Sequence, residues 1–295
     1  MNRMSRLAFL GTPPAAVPSL RALVDSGHEV SLVVTRSDTR RSRRGGAEPS
    51  PVKAAALDLG LEVTDDLEMV SGAGAELGIV VAYGRIIPAR ILDVLPMLNV
   101  HFSLLPRWRG AAPVERAMLA GDPTTGVCLM RLEAGLDTGP VLSRSELDID
   151  AQETASELTG RLAQLGASML GDLMANGAEG VGPGEPQVGE PTYASKIEPS
   201  ELELAFDSPA VQLGRVVRVG RAWTTFRGAR LIVSRAVVHP DDTGSGAPGT
   251  LESTTVATGL GTLELLEVQP EGRKRVDAKE WARGARLEPG ERLGD

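Results

Sequence analysis

Short apolar runs alternate with helical spacing along the first 175 residues of the chain. Mainly apolar runs next to glycine, proline or polar positions predict strands at 7–10, 30–34, 77–82, 98–102, 127–132 and 141–143. Apolar residues three or four positions apart predict helices at 16–26, 54–59, 89–95, 114–119 and 154–174. This alternation predicts an α/β fold with a Rossmann-like, doubly wound and mostly parallel sheet.

The pattern changes after a segment rich in glycine and proline at 181–191. Beyond residue 200, short strands separated by glycine turns are predicted at 230–238, 249–252, 254–258 and 262–268, with a single helix at 208–219. We therefore expect an α/β domain at 1–180, a linker at 181–200, and a C-terminal β-barrel of the oligonucleotide-binding (OB) type at 201–295.

Composition excludes several classes of protein. The chain has 295 residues, a single cysteine, Cys128, and a net charge of −8. One cysteine excludes an intrachain disulfide and any zinc site built from several cysteines, and we expect no metal. No apolar run approaches the ~18 residues of a membrane helix, and the first residues do not resemble a secretory signal. A cytoplasmic protein that does not bind membranes is the expectation.

Basic residues are concentrated in two stretches of this acidic chain. Residues 36–53 hold six basic side chains against two acids, and residues 215–235 hold six arginines and no acid. Each stretch is either a solvated face or a binding surface for a polyanion. The first stretch is predicted to be a long loop at 36–51, and long loops in compact domains are often functional.

Candidate chemistry is concentrated in two segments. Asn99 and His101 interrupt the apolar strand at 98–102, and Asp137 lies between glycines in the segment 135–139. Ligands of open α/β sheets bind at the carboxyl ends of strands. Amide and imidazole N–H groups there could stabilise an oxyanion, and a carboxylate could orient the imidazole and accept a proton. No serine or cysteine stands on a nucleophile turn, so direct acyl transfer to an amine fits best.

Other readings of these residues remain open. His101 could be a hydrogen-bonded core histidine, Asn99 could cap a turn, and Asp137 could form an Asx turn. The turn after the first strand, Gly11-Thr12-Pro13-Pro14, lacks the G-x-G-x-x-G pattern. Its prolines remove N–H groups that a pyrophosphate would need, which excludes a dinucleotide cofactor.

The sequence resembles the methionyl-tRNA formyltransferase family over most of its length. The resemblance is carried by the motif NVHFSLLPRWRGAAP at 99–113 together with GLDTG at 135–139. Shorter matches are GTP at 11–13, SPVK at 50–53, VAYGRIIP at 81–88, QPEGRKR at 269–275 and WARG at 281–284. The resemblance implies a Rossmann-like catalytic domain followed by a β-barrel domain that helps to hold tRNA.

The family resemblance also implies an activity and roles for residues. The activity is formyl transfer from 10-formyltetrahydrofolate to the amino group of methionine on initiator tRNA, with Asn99, His101 and Asp137 as catalytic residues. The folate-binding residues it implies are Tyr83, Gly84, Ser103, Leu104, Leu105 and Pro106. The basic stretches become tRNA-binding regions, with candidate contacts at Arg36, Arg40, Arg41, Arg43, Arg44, Lys53, Arg215, Arg218 and Arg221. We expect a monomer.

Three departures from the family pattern concern tRNA binding more than chemistry. The basic loop has TRRSRR at 39–44 in place of Pro-Ala-Gly-Arg-Gly, the connection at 65–76 is short, and only Trp223 remains of an Asn-Pro-Trp-Pro-like turn. Two rival functions stay open. One is another folate-dependent formyltransferase or deformylase acting on a small amine or on water. The other is an RNA-binding module whose enzyme domain has lost activity.

Overall fold

The computed structural model describes residues 3–40 and 47–295. The chain divides into two compact units. The N-terminal unit comprises Met1–Val114, Thr124–Asp148 and Leu158–Ser195, and the C-terminal unit comprises Glu115–Pro123, Ile149–Glu157 and Lys196–Asp295. The predicted linker at 181–200 falls across this division, because residues 181–195 group with the N-terminal unit.

The N-terminal unit is built on one large sheet. Its strands, together with two short two-stranded pairings, are β1 (Arg6–Gly11), β2 (Glu29–Val34), β3 (Thr39–Arg40), β4 (Ala47–Glu48), β5 (Val63–Thr64), β6 (Leu77–Val81), β7 (Met97–His101), β8 (Arg109–Gly110), β9 (Thr124–Arg131), β10 (Val141–Asp148) and β11 (Tyr193–Ala194). The seven-stranded sheet has the order β10-β9-β7-β6-β1-β2-β5. Strands β5, β2, β1, β6 and β7 are parallel to one another. Strand β9 pairs with β7 in antiparallel fashion, and β10 pairs with β9 in antiparallel fashion. The predicted Rossmann-like sheet is confirmed.

Helices α1 to α6 follow the strands in the order that the sequence pattern predicts, and α7 is additional. They are α1 (Val17–Asp25), α2 (Pro51–Asp58), α3 (Ala89–Leu92), α4 (Pro113–Ala120), α5 (Ala155–Met174), α6 (Ala210–Val219) and α7 (Ala278–Ala285). Short 3-10 helices lie at Pro14–Ala16, Leu67–Gly72, Ala178–Gly180 and Pro199–Leu202. Helix α2 begins earlier than predicted, because Ser50 caps it and accepts a hydrogen bond from Lys53 N.

The strand order reverses beside β1, whose neighbours are β2 and β6. Such a switch point opens a crevice at the carboxyl ends of the strands, where ligands bind in folds of this kind. The Thr12 hydroxyl donates to the Tyr83 carbonyl at 3.3 Å and links the chain just after β1 to the chain just after β6. Every residue of β6 is buried, as expected for a central parallel strand.

The predicted loop at 36–51 contains secondary structure. Strands β3 and β4 pair in antiparallel fashion, with Thr39 opposite Glu48 and Arg40 opposite Ala47. The prediction of an entirely irregular loop is therefore wrong at these positions. Two residues per strand give too little alternation for a pattern to be recognised.

The C-terminal unit contains an antiparallel sheet, as predicted. Its strands are β12 (Ala222–Phe226), β13 (Ala229–His239), β14 (Leu251–Glu252), β15 (Thr255–Ala257), β16 (Thr262–Pro270) and β17 (Val276–Asp277). They have the order β12-β13-β16-β15-β14, and β17 pairs with β16. Side chains from α6, α7 and this sheet share one apolar core that includes Leu213, Val217, Val233, Leu265 and Trp281.

The expectation of a single helix in this unit is wrong, because α7 follows β17. Asp277 caps its first turn and accepts hydrogen bonds from the backbone N–H groups of Lys279 and Glu280. The helix buries Trp281, whose ring meets that of Phe226 edge to face with the centroids 5.1 Å apart. The described part of the chain contains no helix that is long and apolar enough to cross a membrane.

Candidate active site

Strand β7 places Asn99 and His101 on the same side of the sheet, because alternate residues of a strand share a face. The strand lies between β6 and β9, with Asn99 opposite Met130 and His101 opposite Cys128. The apolar residues between and beside them, Leu98 and Val100, are buried and fix the strand in the sheet. Both polar side chains therefore stand near the carboxyl end of β7.

His101 is nearly enclosed, with 5% of its surface exposed. Its Nε2 lies 2.9 Å from the carbonyl oxygen of Trp108. A carbonyl only accepts hydrogen bonds, so Nε2 is assigned the proton. In the neutral ring, Nδ1 then carries a lone pair, and it lies 3.7 Å from Asp137 Oδ2. A proton taken up at Nδ1 would consequently face a carboxylate.

Asp137 comes from the loop between β9 and β10. Its backbone has φ of 49°, in the left-handed region, which aspartate tolerates better than most residues. Its Oδ2 accepts a hydrogen bond of 2.8 Å from the backbone N–H of Gly110. Gly110 itself has φ of 121°, and a Cβ there would lie 2.8 Å from the Ala194 carbonyl oxygen. The motif after His101 therefore also positions Asp137.

Asn99 is partly exposed, and within residues 3–40 and 47–295 no hydrogen bond to its side-chain amide is found. Its two N–H donors are thus open to an incoming oxyanion. Cys128, the cross-strand neighbour of His101, is fully buried, and burial raises the pKa of its thiol. A buried thiol of raised pKa is a poor nucleophile. Asn99, His101 and Asp137 therefore support direct acyl transfer, with Asn99 as the hydrogen-bond donor to the oxyanion and His101 as the proton acceptor.

Several of the residues predicted to bind folate have side chains that are turned into the protein. Ser103 is fully buried and donates its hydroxyl hydrogen to the Arg107 carbonyl at 2.6 Å. Leu105 packs in an apolar cluster with Cys128, whereas Leu104 and Pro106 are half-buried. The Ser103 and Leu105 side chains therefore shape the segment, and a ligand would meet its more exposed positions.

Tyr83 and Gly84 lie at the end of β6. Tyr83 is 1% exposed, and burial raises the pKa of its phenol. Gly84 has φ of 74°, and its carbonyl accepts a hydrogen bond from the Arg36 guanidinium. A Cβ at Gly84 would lie 2.9 Å from that guanidinium, so glycine permits the close approach. Arg36, one of the predicted tRNA contacts, thereby lies beside a predicted folate residue.

The remaining basic candidates differ in their surroundings. Lys53 forms an ion pair of 2.7 Å with Asp38. Arg40 lies in β3, and Arg41, Arg43 and Arg44 lie outside the described residues.

Two of the three C-terminal candidates are engaged within their own unit. Arg218 donates to the carbonyl oxygens of Asp150 and Glu153 at 3.1 and 3.3 Å, and burial lowers its pKa. Arg215 donates to the Ala120 carbonyl at 3.4 Å. Arg221 is exposed, with φ of 60°. Of these three, Arg221 alone is exposed, whereas Arg215 and Arg218 are half-buried.

Sequence reasoning missed the part of the site that comes from residues 181–195. Thr192 Oγ1 accepts from Trp108 N at 2.9 Å, and Thr192 O accepts from Arg109 N at 2.9 Å. Strand β11 then pairs with β8 in parallel. Gln187 contacts the Asp137 loop. The available signal was weak: Gln187 and Thr192 are single polar residues scattered through a segment rich in glycine and proline.

Two family models match the chain: formyl transferase over residues 5–173, and formyl transferase, C-terminal domain, over residues 196–286. A methionyl-tRNA formyltransferase of Dinoroseobacter shibae is 44% identical over 299 residues, covering 96% of this chain and 98% of that protein. The chain belongs to the methionyl-tRNA formyltransferase family. The family resemblance carried by residues 99–113 and 135–139 is thereby confirmed.

Solved structures agree with the fold of a methionyl-tRNA formyltransferase. The enzyme of that name from Clostridium thermocellum aligns with a TM-score of 0.59 and 17% identity, covering 80% of this chain and 93% of its own. HypX from Aquifex aeolicus, solved in complex with tetrahydrofolic acid, aligns with a TM-score of 0.67 and 15% identity, covering 95% of this chain and 47% of its own. Because proteins of different names share this fold, the site must decide the substrate.

Proposed function

We propose that the chain transfers the formyl group of 10-formyltetrahydrofolate to the α-amino group of methionine on initiator methionyl-tRNA. The observation that carries the proposal is the convergence of three groups at the end of β7: the open amide of Asn99, the imidazole of His101, and the Asp137 carboxylate 3.7 Å from Nδ1. Near-full-length similarity to proteins named for this activity supports the choice of acceptor. The protein would act in the cytoplasm, as a monomer.

The geometry divides the reaction between these residues. The amine nitrogen attacks the formyl carbon, and the carbonyl oxygen becomes an oxyanion to which Asn99 donates. His101 Nδ1 takes the proton that the amine loses, while Nε2–H stays bonded to Trp108 O and Asp137 balances the charge. The bond from the formyl carbon to N10 then breaks, and the same proton passes to the departing nitrogen. No covalent enzyme intermediate is needed.

Binding of tRNA would rest on the basic residues and not on net charge. Arg36, Arg221 and the arginines at 40–44 provide cations for phosphates, which give affinity and position without reading bases. An A-form major groove is too narrow to read, so shape and the end of the acceptor stem must distinguish the tRNA. The acidic remainder of the surface would disfavour other RNA.

The proposal is tested by measuring formyl transfer to four acceptors at equal concentration. They are initiator methionyl-tRNA, elongator methionyl-tRNA, free methionine and a nucleotide-linked amino sugar. We expect kcat/KM for the initiator tRNA to exceed each other value by at least a hundredfold. Preference for the amino sugar, or release of formate to water in place of transfer, would establish the corresponding rival activity and overturn the proposal.

A further inference from the structure

Gln187 connects three parts of the candidate site through one side-chain amide. Its Nε2 donates to the carbonyl oxygens of Asp137 and Gly139 at 2.8 and 2.9 Å. Its Oε1 accepts two hydrogen bonds from the Arg109 guanidinium, at 3.1 Å from Nε and 2.6 Å from the terminal nitrogen. Because arginine only donates and carbonyls only accept, these partners fix the orientation of the amide.

The Asp137 loop is thus held at two points. Gln187 holds the backbone carbonyl of Asp137, and Gly110 N–H holds its carboxylate at 2.8 Å. The backbone between these points has φ of 49°, a region that costs free energy unless the surroundings maintain it. Arg109, which orients Gln187, directly precedes Gly110. The two residues of β8 therefore hold Asp137 at two groups: Gly110 holds the carboxylate directly, and Arg109 holds the backbone carbonyl through Gln187.

We propose that Gln187 is a positioning residue for Asp137: it keeps the carboxylate at the distance from His101 at which a proton on Nδ1 is stabilised. The role of Asp137 in proton handling rests on the proposed function. Small displacements of a reacting group can cost about a hundredfold in rate. Gln187 itself touches no reacting atom, so its effect must pass through the position of the Asp137 loop.

Two substitutions of Gln187 remove different subsets of its four hydrogen bonds. Gln187→Glu keeps the shape and the Arg109 contacts but cannot donate to the two carbonyls when ionised. Gln187→Met keeps the length and removes all four hydrogen bonds without adding charge. Gln164→Glu, at an exposed position of α5, controls for the added charge. We expect kcat to fall by roughly 10- to 100-fold in both Gln187 variants, because a displacement of about 1 Å at a reacting group can cost about a hundredfold. KM for donor and tRNA should stay within twofold.

A second readout needs no activity. The exchange rate of the Gly110 amide, measured by NMR in the free protein, reports its bond to Asp137 Oδ2, while the Ala111 amide donates to Ala194 O at 2.8 Å and serves as an internal control. We expect Gly110 to exchange at least tenfold faster in Gln187→Met, with Ala111 unchanged. The free protein suffices for this measurement.

Each outcome is decisive. Faster Gly110 exchange together with lower kcat supports the positioning role. Unchanged exchange with lower kcat, or faster exchange with unchanged kcat, overturns it, as does no change in either. If the unsubstituted protein transfers no formyl group, the proposed function fails, and Gly110 exchange alone then decides whether Gln187 positions Asp137.

Discussion

Replacing Asp137 by asparagine removes the charge that faces His101 while preserving the shape of the site. The asparagine oxygen can still accept from Gly110 N–H, which now donates to Asp137 Oδ2 at 2.8 Å. The same oxygen position lies 3.7 Å from His101 Nδ1, so a neutral amide oxygen replaces the charged carboxylate oxygen beside the ring. What it cannot do is stabilise the imidazolium that forms when Nδ1 takes a proton.

The distance between the two groups sets the size of the effect. Opposite unit charges 3.7 Å apart attract by about 4.5 kcal/mol at an effective dielectric constant of about 20. Each 1.36 kcal/mol corresponds to about tenfold in rate, so the loss is bounded at roughly three decades. Because the amide dipole of asparagine retains part of the stabilisation, we expect kcat to fall between about a hundredfold and a thousandfold.

The assay is single-turnover formyl transfer to initiator methionyl-tRNA with enzyme in excess, beside Asp25→Asn at the exposed end of α1 as the matched control. Single turnover isolates chemistry from product release. Folate binding should remain within twofold of the unsubstituted protein, because the fold and the Gly110 bond are kept. A rate for Asp137→Asn within threefold of Asp25→Asn would refute the assigned role of the carboxylate.

Three further predictions rest on other contacts. Gly110→Ala should lower the free energy of urea unfolding by about 1–3 kcal/mol, because the Cβ would lie 2.8 Å from the Ala194 carbonyl at φ of 121°; unchanged stability would show that the strand adapts. Burial lowers the pKa of His28, whose Nδ1 accepts from Ser5 N, so its neutral form is favoured on folding. Stability should therefore decrease as pH falls below about 6.5, by at most about 1.4 kcal/mol per pH unit, and urea titrations of His28→Gln should lack this component. Neutralising the arginines at 40–44 should raise KM for tRNA and flatten its dependence on salt, and an unchanged slope of log KM against log salt would exclude this loop as a phosphate contact.

Sequence patterns predicted those strands and helices whose buried residues form a continuous apolar run or a regular spacing along the chain. The run at 77–82 is bounded by polar residues, and the structure buries all of β6. By contrast, α7 was missed although its buried residues, Ala278, Trp281 and Ala282, have the i, i+3, i+4 spacing of one helix face; two of the three are alanines, whose small side chains form a weak apolar stripe. Strand β12 was missed because its two threonines weaken the apolar run.

The sequence predicted the positions of those candidate catalytic residues that strand geometry determines. Alternation along β7 places Asn99 and His101 together, and both loops were expected at one edge of the sheet. The sequence could not predict that Trp108 O would hold Nε2 of His101. Gln187 was equally hidden, because its partners Asp137 and Arg109 are 50 and 78 positions away and no periodicity links such distant residues.

The proposed function assigns Asn99, His101 and Asp137 to formyl transfer onto the methionyl amine of initiator tRNA. The most direct measurement follows a labelled formyl carbon from 10-formyltetrahydrofolate into N-formylmethionine recovered from the tRNA, with the unsubstituted protein, Asn99→Ala and His101→Ala. We expect label in formylmethionine with the unsubstituted protein, and initial rates at least a hundredfold lower with each variant. Absence of label in methionine with the unsubstituted protein, or undiminished rates in both variants, would contradict it.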